Sequence, residues 1–188
     1  MFTESHERLT QPVDERRDHI RGPVDAPLTL VEYGDFECPH CGAAYPNIEV
    51  VREQMGDDLR FVYRHYPQAV VHANAVRAAH AAEAAGRFGQ FWQMHDVLFE
   101  YQDALDVESL LISASKLPLD LEQFVHDLTQ GKHRARLEDD FLSGTLSGVE
   151  GTPAFFINNV RYRGAWNAFA LLEALTMAHG TRSRAVGR

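Results

Sequence analysis

The chain of 188 residues is long enough to build one substantial hydrophobic core and is short for two. Its apolar content of 45% and its charged content of 24% are ordinary for a globular domain. The net charge of −9 disfavours nucleic acid and anionic membranes as main partners, because both repel an acidic surface. We therefore expect no nucleic-acid partner and no membrane partner.

The chain begins with a polar, charged stretch, MFTESHERLTQPVDERRDHIRGP. A secretory signal would need an apolar core of about 7–15 residues there, and the stretch contains none. The expected location is therefore cytoplasmic. We predict that residues 1–24 form an extension or docking arm, in which the basic cluster Arg16, Arg17 and Arg21 is solvated.

A strand, a helix and a second strand are predicted next. PLTLVEYGDF, from Pro27, has the β-branched and aromatic content of a buried strand. Apolar residues at helical spacing then predict a helix from Pro39 to about Met55, with a kink at Pro46. LRFVYRHYP predicts a second strand, so the order suggests a parallel pair joined by a right-handed crossover.

The middle of the chain carries helical signals only. HANAVRAAHAAEAAG is rich in alanine, and RFGQFWQMHDVLFEYQ has an aromatic helical face that includes His95. DVESLLISASKL and DLEQFVHDL each begin with an acidic residue suited to capping a helix. A further helix is predicted from about Lys132 to Leu146. We expect His95 to be a core histidine rather than a catalytic one.

Strand signals return near the end of the chain. PAFFINNVRYRG predicts two short strands around Asn158-Asn159, because asparagine tolerates the positive φ of a tight hairpin. WNAFALLEALTMAHG predicts an amphipathic helix that ends at Gly180. The order βαβ, helical block, ββα predicts an α/β sheet interrupted by an all-helical insertion of four to five helices.

These elements divide the chain into an arm, a discontinuous sheet domain, an inserted helical domain and a tail. The predicted boundaries are 1–24 for the arm, 25–67 and 147–180 for the sheet domain, 68–146 for the insertion and 181–188 for the tail. We expect the sheet domain and the insertion to form one folding unit with two lobes.

The two cysteines of the chain, Cys38 and Cys41, lie in VEYGDFECPHCGAAYP. Random placement would give a three-residue separation in only about one such chain in a hundred, so the CxxC spacing is informative. A zinc site needs four ligands, and His126 with His133 are too far apart for the usual pattern. A structural disulfide across so short a loop restrains little chain entropy. A working dithiol, placed where a strand ends and a helix begins, fits better.

The residues around the pair favour a reactive thiolate at the first cysteine. Cys38 is expected at the helix N-terminus, where free backbone N–H groups and the helix dipole stabilise an anion. Pro39 suits the first helical position. His40 is expected to add a donor and, when protonated, a positive charge beside the sulfur, which lowers the pKa of Cys38. Cys41 falls about one turn further on and is placed to resolve a mixed disulfide.

The motif VEYGDFECPHC, followed about 110 residues later by GVEGTPAFFIN, resembles the DsbA family of thiol–disulfide oxidoreductases. More narrowly, RDHIRGPVDAPLTLVEYGDFECPHCG with FWQMHDVLF is similar to the DsbA-like thioredoxin domain of bacteria, including versions appended to some sodium/proton antiporters. The resemblance covers about residues 17–178. It implies a thioredoxin fold with a helical lid inserted before the last β-hairpin.

The resemblance also assigns roles to individual residues. It implies that Cys38 is the nucleophile and Cys41 the resolving thiol. Pro153 is expected to be a cis-proline that faces the pair, with Thr152 before it, so that a substrate chain pairs with the backbone of the Gly151–Pro153 segment. A plain turn before the hairpin is the alternative interpretation of this segment.

Two acidic residues near the pair are of interest. Glu32 matches a buried acid of the family, which could take a proton from Cys41 if burial raises its pKa. A strand residue that points to solvent is the equally weighted alternative. Glu37 replaces an apolar residue common in strongly oxidising members, and a negative charge there is expected to raise the pKa of Cys38 and give a milder oxidant.

We expect dithiol–disulfide exchange with protein thiols or disulfides as substrates, no cofactor beyond the Cys38–Cys41 disulfide, and recharging by an unidentified redox partner or glutathione. The direction of electron flow is open. The alternatives are a redox-sensing binding module, a glutathione-dependent isomerase or transferase of the kappa type, and a peroxidase that uses the same dithiol.

Overall fold

A computed structural model describes residues 8–186, and the side chains of residues 8–179. Within these residues the strands are β1 (His19–Arg21), β2 (Leu28–Gly34), β3 (Leu59–His65), β4 (Ala154–Ile157) and β5 (Val160–Tyr162). They form one sheet in the order β1-β3-β2-β4-β5. The helices are α1 (Pro39–Met55), α2 (Ala75–Gly86), α3 (Phe91–Glu100), α4 (Val107–Ser115), α5 (Leu121–Thr129), α6 (Arg134–Leu146) and α7 (Ala168–Val186).

Strands β2 to β5 are connected as the sequence predicts. Strands β2 and β3 are parallel and are joined by α1, whereas β4 is antiparallel to both β2 and β5. The β4–β5 turn places Asn158 at φ 47° and Asn159 at φ 74°, as a tight hairpin requires. Five helices, α2 to α6, lie between β3 and β4. The predicted α/β thioredoxin fold with an all-helical insertion is confirmed.

Strand β2 lies in the middle of the sheet and is buried along its whole length. Leu28 and Leu30 face the larger hydrophobic core, which contains α1 and much of the insertion, whereas Val31 and Tyr33 face a smaller core on the other side. Alternate residues of a strand point to opposite faces, so both faces of β2 are covered. A polar residue on this strand must therefore be buried too.

The predicted arm contributes more to the fold than we expected. Residues of the arm form β1, which pairs antiparallel with β3, and Arg8 forms an isolated bridge with Val160. No sequence pattern marks β1, because a strand of three residues is too short to show an alternation. The arm is part of the sheet.

The expectation that the basic cluster is solvated is wrong for two of its members. Arg17 forms ion pairs with Asp18 and Asp140, whose side chains are completely buried. Arg21 pairs with Asp96, and its guanidinium lies 4.6 Å from the centroid of the Trp92 ring. Buried carboxylates need counter-charges, and an adjacent arm supplies them. Only Arg16 of the cluster is exposed.

The C-terminal helix is longer than the sequence pattern predicts. We expected it to end at Gly180 and residues 181–188 to form a tail, but α7 continues to Val186. Glycine costs a helix only about 1 kcal/mol relative to alanine and does not by itself end it. Residues 187–188 and 1–7 lie outside the described residues. In the part of the chain that the structure describes, no helix is both long and apolar enough to span a bilayer.

Candidate active site

Cys38 lies at the point where the chain leaves the centre of the sheet and enters α1. It is the N-cap residue of the helix, with Pro39 in the first turn and no side-chain oxygen capping the free N–H groups. The sulfur therefore occupies the position at which a serine or aspartate oxygen usually caps a helix. Both Cys38 and Cys41 are free thiols, and Cys41 is fully buried on the inner face of α1.

The environment of the first sulfur favours its charged form. The pKa of Cys38 falls to about 5, chiefly because it accepts a hydrogen bond from the Cys41 thiol. Burial opposes this shift, but a hydrogen bond from the Thr152 side chain and the backbone N–H groups of Cys41 and His40 outweigh it. Cys38 is therefore a thiolate at neutral pH.

The second sulfur has the opposite tendency. Burial raises the pKa of Cys41 well above its ordinary value, and the hydrogen bond to Cys38 and the charge of Glu32 raise it further. A buried thiol that is hydrogen-bonded to a thiolate keeps its proton. Two thiols three residues apart thus have different protonation states at neutral pH.

The role expected of His40 is only partly what the geometry provides. Its side chain is exposed, with the ring centroid 6.5 Å from that of Trp166. What acts on the pKa of Cys38 is the backbone N–H of His40. Position matters here more than residue type, because any non-proline residue at the second helical position supplies such a donor.

Glu32 is buried, so the alternative of a solvent-facing strand residue is wrong. It is 1% exposed and lies on the same face of β2 as Leu28 and Leu30, toward α1. Its Oε1 atom has no hydrogen-bond partner among the described residues. Burial raises the pKa of Glu32 to about 8, and the negative charge of Cys38 adds to the rise. A carboxyl group that titrates near neutral pH thus lies close to the cysteine pair.

A distant part of the chain completes the site. The Thr152–Pro153 peptide bond is cis, and Cys38 Sγ lies 3.4 Å from the Thr152 carbonyl oxygen. Gly151, Thr152 and Pro153 directly precede β4, which pairs with β2. Pairing of these two strands brings residues more than a hundred positions apart into contact.

The segment between β3 and α2, residues 66–74, makes contacts at the site that the sequence did not predict. Gln68 donates from its backbone N–H to Asp35 Oδ2 and from Nε2 to the Thr152 hydroxyl, both at 2.8 Å. The ring of His72 lies 2.7 Å from Asp35. Asn74 donates to the carboxylate of Glu37 from its backbone and its side chain. This segment has no motif, so nothing in the sequence marks it.

A second unpredicted residue, Gln102, reaches the site from the helical insertion. Its Nε2 atom donates to the backbone oxygens of Phe36 and Cys38, at 2.7 and 3.1 Å. The amide lies against the bare Cα of Gly42 in the first part of α1, and a Cβ there would fall 1.9 Å from Gln102 Oε1. Gly42 therefore makes room for the link between the insertion and the active-site turn.

Alanine substitutions at these two positions are expected to be strongly non-additive. Gln102→Ala removes two hydrogen bonds and is expected to cost about 1–2 kcal/mol of unfolding free energy. Gly42→Ala displaces the amide in the wild-type protein. Gln102→Ala removes the three atoms that lie nearest to the added Cβ, so in that background the same substitution is expected to stabilise α1 by up to about 1 kcal/mol. Urea unfolding of the four proteins measures the coupling, and additive effects would contradict the contact.

Fold and site together define the class: a thioredoxin-fold protein with a helical insertion and a CxxC pair at the start of the helix that follows the central strand. The chain belongs to the thioredoxin family, since the model of that family, described as Thioredoxin, matches residues 14–176. The resemblance inferred from the CxxC and Gly-Thr-Pro motifs is confirmed.

Solved structures of DsbA-like proteins share this fold. BdbD from Bacillus subtilis, in its oxidised form, superimposes with a TM-score of 0.77 at 20% identity, covering 93% of this chain and 99% of that one. Alpha-DsbA1 from Wolbachia pipientis gives a TM-score of 0.77 at 19% identity, with coverages of 95% and 98%. A thioredoxin-like oxidoreductase from Silicibacter pomeroyi gives 0.77 at 24% identity, with coverages of 87% and 93%.

Relatives of higher identity are much longer proteins. A Na(+)/H(+) antiporter NhaA 1 from Salinispora arenicola is 49% identical over 179 residues, which are 94% of this chain and 27% of that protein. A Na(+)/H(+) antiporter NhaA from Herminiimonas arsenicoxydans is 44% identical over 179 residues, 95% of this chain and 28% of that protein. The chain thus spans about a quarter of the length of these curated relatives.

Proposed function

We propose that this protein is a thiol–disulfide oxidoreductase that exchanges disulfides with protein substrates through a mixed disulfide at Cys38. The observation that carries this proposal is the opposite protonation of the two cysteines. A thiolate is the species that attacks a disulfide, and a neighbouring protonated thiol is held in reserve to complete the exchange. The fold supports the proposal, since the site lies where thioredoxin-fold proteins carry a CxxC pair.

The first step is attack by the Cys38 thiolate on one sulfur of a substrate disulfide. A bond forms between Cys38 and that sulfur, and the substrate disulfide breaks. Its other sulfur leaves as a thiolate and takes a proton from water. At this stage the Cys38 sulfur is part of the mixed disulfide and carries no charge.

The second step is attack by Cys41 on Cys38. The Cys41 thiol must first lose its proton, and the ionised form of Glu32 is the candidate acceptor. The charge of Cys38 is one cause of the Glu32 pKa of about 8, so its loss in the mixed disulfide lowers that pKa and increases the ionised fraction at this step. The Cys38–Cys41 bond then forms and the bond between Cys38 and the substrate sulfur breaks. That sulfur leaves as a thiolate. Two electrons pass from the dithiol to the substrate. The same steps in reverse donate a disulfide, so the geometry serves both directions.

Substrates are proposed to bind along the Gly151–Pro153 segment, beside the sulfur. The neighbouring 66–74 segment offers an apolar surface, since Val70 is fully exposed and Val71 is 69% exposed. An unfolded polypeptide presents the apolar side chains that such a surface would bind. The proposal requires no cofactor other than the dithiol, and a redox partner or glutathione would recharge it. Within the described residues, no group of three or more His, Cys, Asp or Glu side chains is arranged to hold a metal.

Trapping of the mixed disulfide tests the proposed function. A reduced Cys41→Ser protein incubated with insulin, whose disulfides are intact, is expected to form a covalent adduct through Cys38, visible by mass and released by dithiothreitol. With reduced glutathione supplied to recharge the dithiol, the wild-type protein is expected to turn over without accumulating the adduct, and Cys38→Ser is expected neither to turn over nor to form the adduct. Absence of the adduct, or negligible turnover by the wild-type protein, would refute catalysis and favour a redox-sensing binding module.

A further inference from the structure

Beside the cysteine pair lies a second histidine, His72, that no motif marks. Its Nδ1 atom lies 2.7 Å from Oδ2 of Asp35, whose side chain is completely buried, and its own side chain is 17% exposed. The histidine within the CxxC motif, His40, is exposed. His72 is thus the imidazole that has a buried carboxylate as its partner at this site.

Asp35 is an integral part of the loop that carries the nucleophile. Its backbone oxygen accepts the N–H of Cys38 at 3.1 Å, and its Oδ1 accepts the N–H of Glu37 at 2.9 Å. Its other carboxylate oxygen accepts the N–H of Gln68 and contacts His72. These bonds tie the backbone oxygen and both carboxylate oxygens of Asp35 to the loop that leads into Cys38.

This arrangement creates an electrostatic conflict. A buried carboxylate three residues before a cysteine, on the same loop, is expected to disfavour the thiolate, because a like charge raises the pKa of an acid. Glu37 brings a second carboxylate to the same loop. Among the ion pairs formed by residues 8–179, the pair with His72 is the one that includes Asp35. The imidazole is therefore the group able to supply the missing positive charge.

The protonation of His72 agrees with this function. Burial acts to lower the pKa of His72, but the hydrogen bond to Asp35 and the charges of Asp35, Cys38 and Glu37 raise it above its ordinary value. The ring thus binds its proton more tightly when Cys38 is a thiolate. A positive charge on His72 and a negative charge on Cys38 stabilise each other.

We propose that His72 is a positioning residue for disulfide exchange: as an imidazolium bound to Asp35, it neutralises the carboxylate under the active-site loop and so preserves the Cys38 thiolate. The proposal rests on the proposed function, since it takes that thiolate to be the exchanging species. A consequence follows for the oxidised protein. Formation of the disulfide removes the negative charge from Cys38, so His72 binds its proton less tightly in the oxidised form.

Charge-balanced substitutions at the pair test the proposal. His72→Asn keeps a donor for Asp35 but removes the positive charge, and is expected to raise the pH midpoint of Cys38 alkylation by about one unit. Asp35→Asn together with His72→Asn removes both charges and is expected to return the midpoint close to the wild-type value. His126→Asn is the matched control, because His126 also pairs with a buried carboxylate, that of Asp127, but within α5.

The outcomes separate electrostatics from simple structural damage. A raised midpoint in His72→Asn and its rescue in the double variant would support the proposal. An unchanged midpoint in His72→Asn, or a double variant as impaired as the single one, would overturn it. Loss of packing alone would not be rescued by a second substitution at a buried position.

A measurement on the unaltered protein provides an independent test. NMR titration of the His72 ring, assigned by comparison with His72→Asn, is expected to show a lower pKa in the oxidised protein than in the reduced one. An equal pKa in both forms would overturn the proposal. If these shifts appear while the Cys41→Ser trap captures no substrate, the proposed function fails and the role of His72 in holding the thiolate stands. If the trap captures substrate while these shifts are absent, the role of His72 fails and the proposed function stands.

Discussion

Alkylation of Cys38 by iodoacetamide is expected to reach half its maximal rate near pH 5, whereas an ordinary cysteine reaches it near pH 9. The thiolate is the reactive form, so the rate follows the ionisation of the sulfur. Cys41 is expected to stay unmodified in the same reaction, because it is fully buried and protonated. Mass spectrometry of the digested protein measures both sites across the pH range.

Substitutions of the hydrogen-bond donors provide the controls for this profile. Cys41→Ala removes the largest cause of the low pKa and is expected to move the midpoint upward by at least about one pH unit. Cys41→Ser keeps a hydroxyl donor and is expected to move it less. Thr152→Val removes the next donor and is expected to have a smaller effect than Cys41→Ala. A wild-type midpoint at about pH 8 or above would contradict the stabilised thiolate.

Replacement of Glu32 by glutamine is expected to stabilise the reduced protein and to slow catalysis. The folded-state pKa of about 8 lies above the ordinary value of 4.5, so the folded carboxyl holds a proton that the unfolded one releases. The stability from this group is fully present below about pH 4.5 and is lost as pH rises through 8. At pH 7 the raised pKa of Glu32 lowers the free energy of unfolding by about 3 kcal/mol, and the substitution by glutamine removes this loss.

Urea unfolding at pH 5 and pH 7 measures this effect. The advantage of Glu32→Gln over the wild-type protein in free energy of unfolding is expected to grow by about 2–3 kcal/mol between the two pH values. Resolution of the mixed disulfide by Cys41 is expected to slow by about a hundredfold, since its proton acceptor is gone. Glu53→Gln, at an exposed position of α1, is the control and is expected to change neither quantity. An equal difference in free energy of unfolding between Glu32→Gln and the wild-type protein at both pH values would contradict the raised pKa of Glu32.

The sequence predicted those parts of the site that depend on local structure. The CxxC spacing after a strand placed Cys38 at the start of α1 and Cys41 on its inner face. The two-residue period of β2 placed Glu32 with Leu28 and Leu30, although only the structure shows that this face is covered. Local rules suffice for these residues, because strand and helix geometry fix where their side chains point.

The parts that could not be predicted depend on tertiary contacts. Gln68, His72 and Gln102 reach the cysteine pair from loops whose paths are set by the packing of the helical insertion. The side chain of Gln102 requires a bare Cα at Gly42, yet a glycine within a helix does not reveal which side chain lies against it. The short strand β1 likewise exists only through its pairing with β3. No periodicity in the sequence encodes such contacts.

The redox equilibrium of Cys38 and Cys41 against defined glutathione mixtures tests most directly whether the pair is a working dithiol. A pKa of about 5 stabilises the reduced form at pH 7 by about 2 kcal/mol more than the pKa of about 7 in thioredoxin. Since 30 mV corresponds to about 1.4 kcal/mol, the expected potential is about −220 mV or higher, against about −270 mV for thioredoxin. The absence of a reversible disulfide would contradict a working dithiol, and a potential of about −270 mV or lower would contradict the thiolate stabilisation that a Cys38 pKa of about 5 implies.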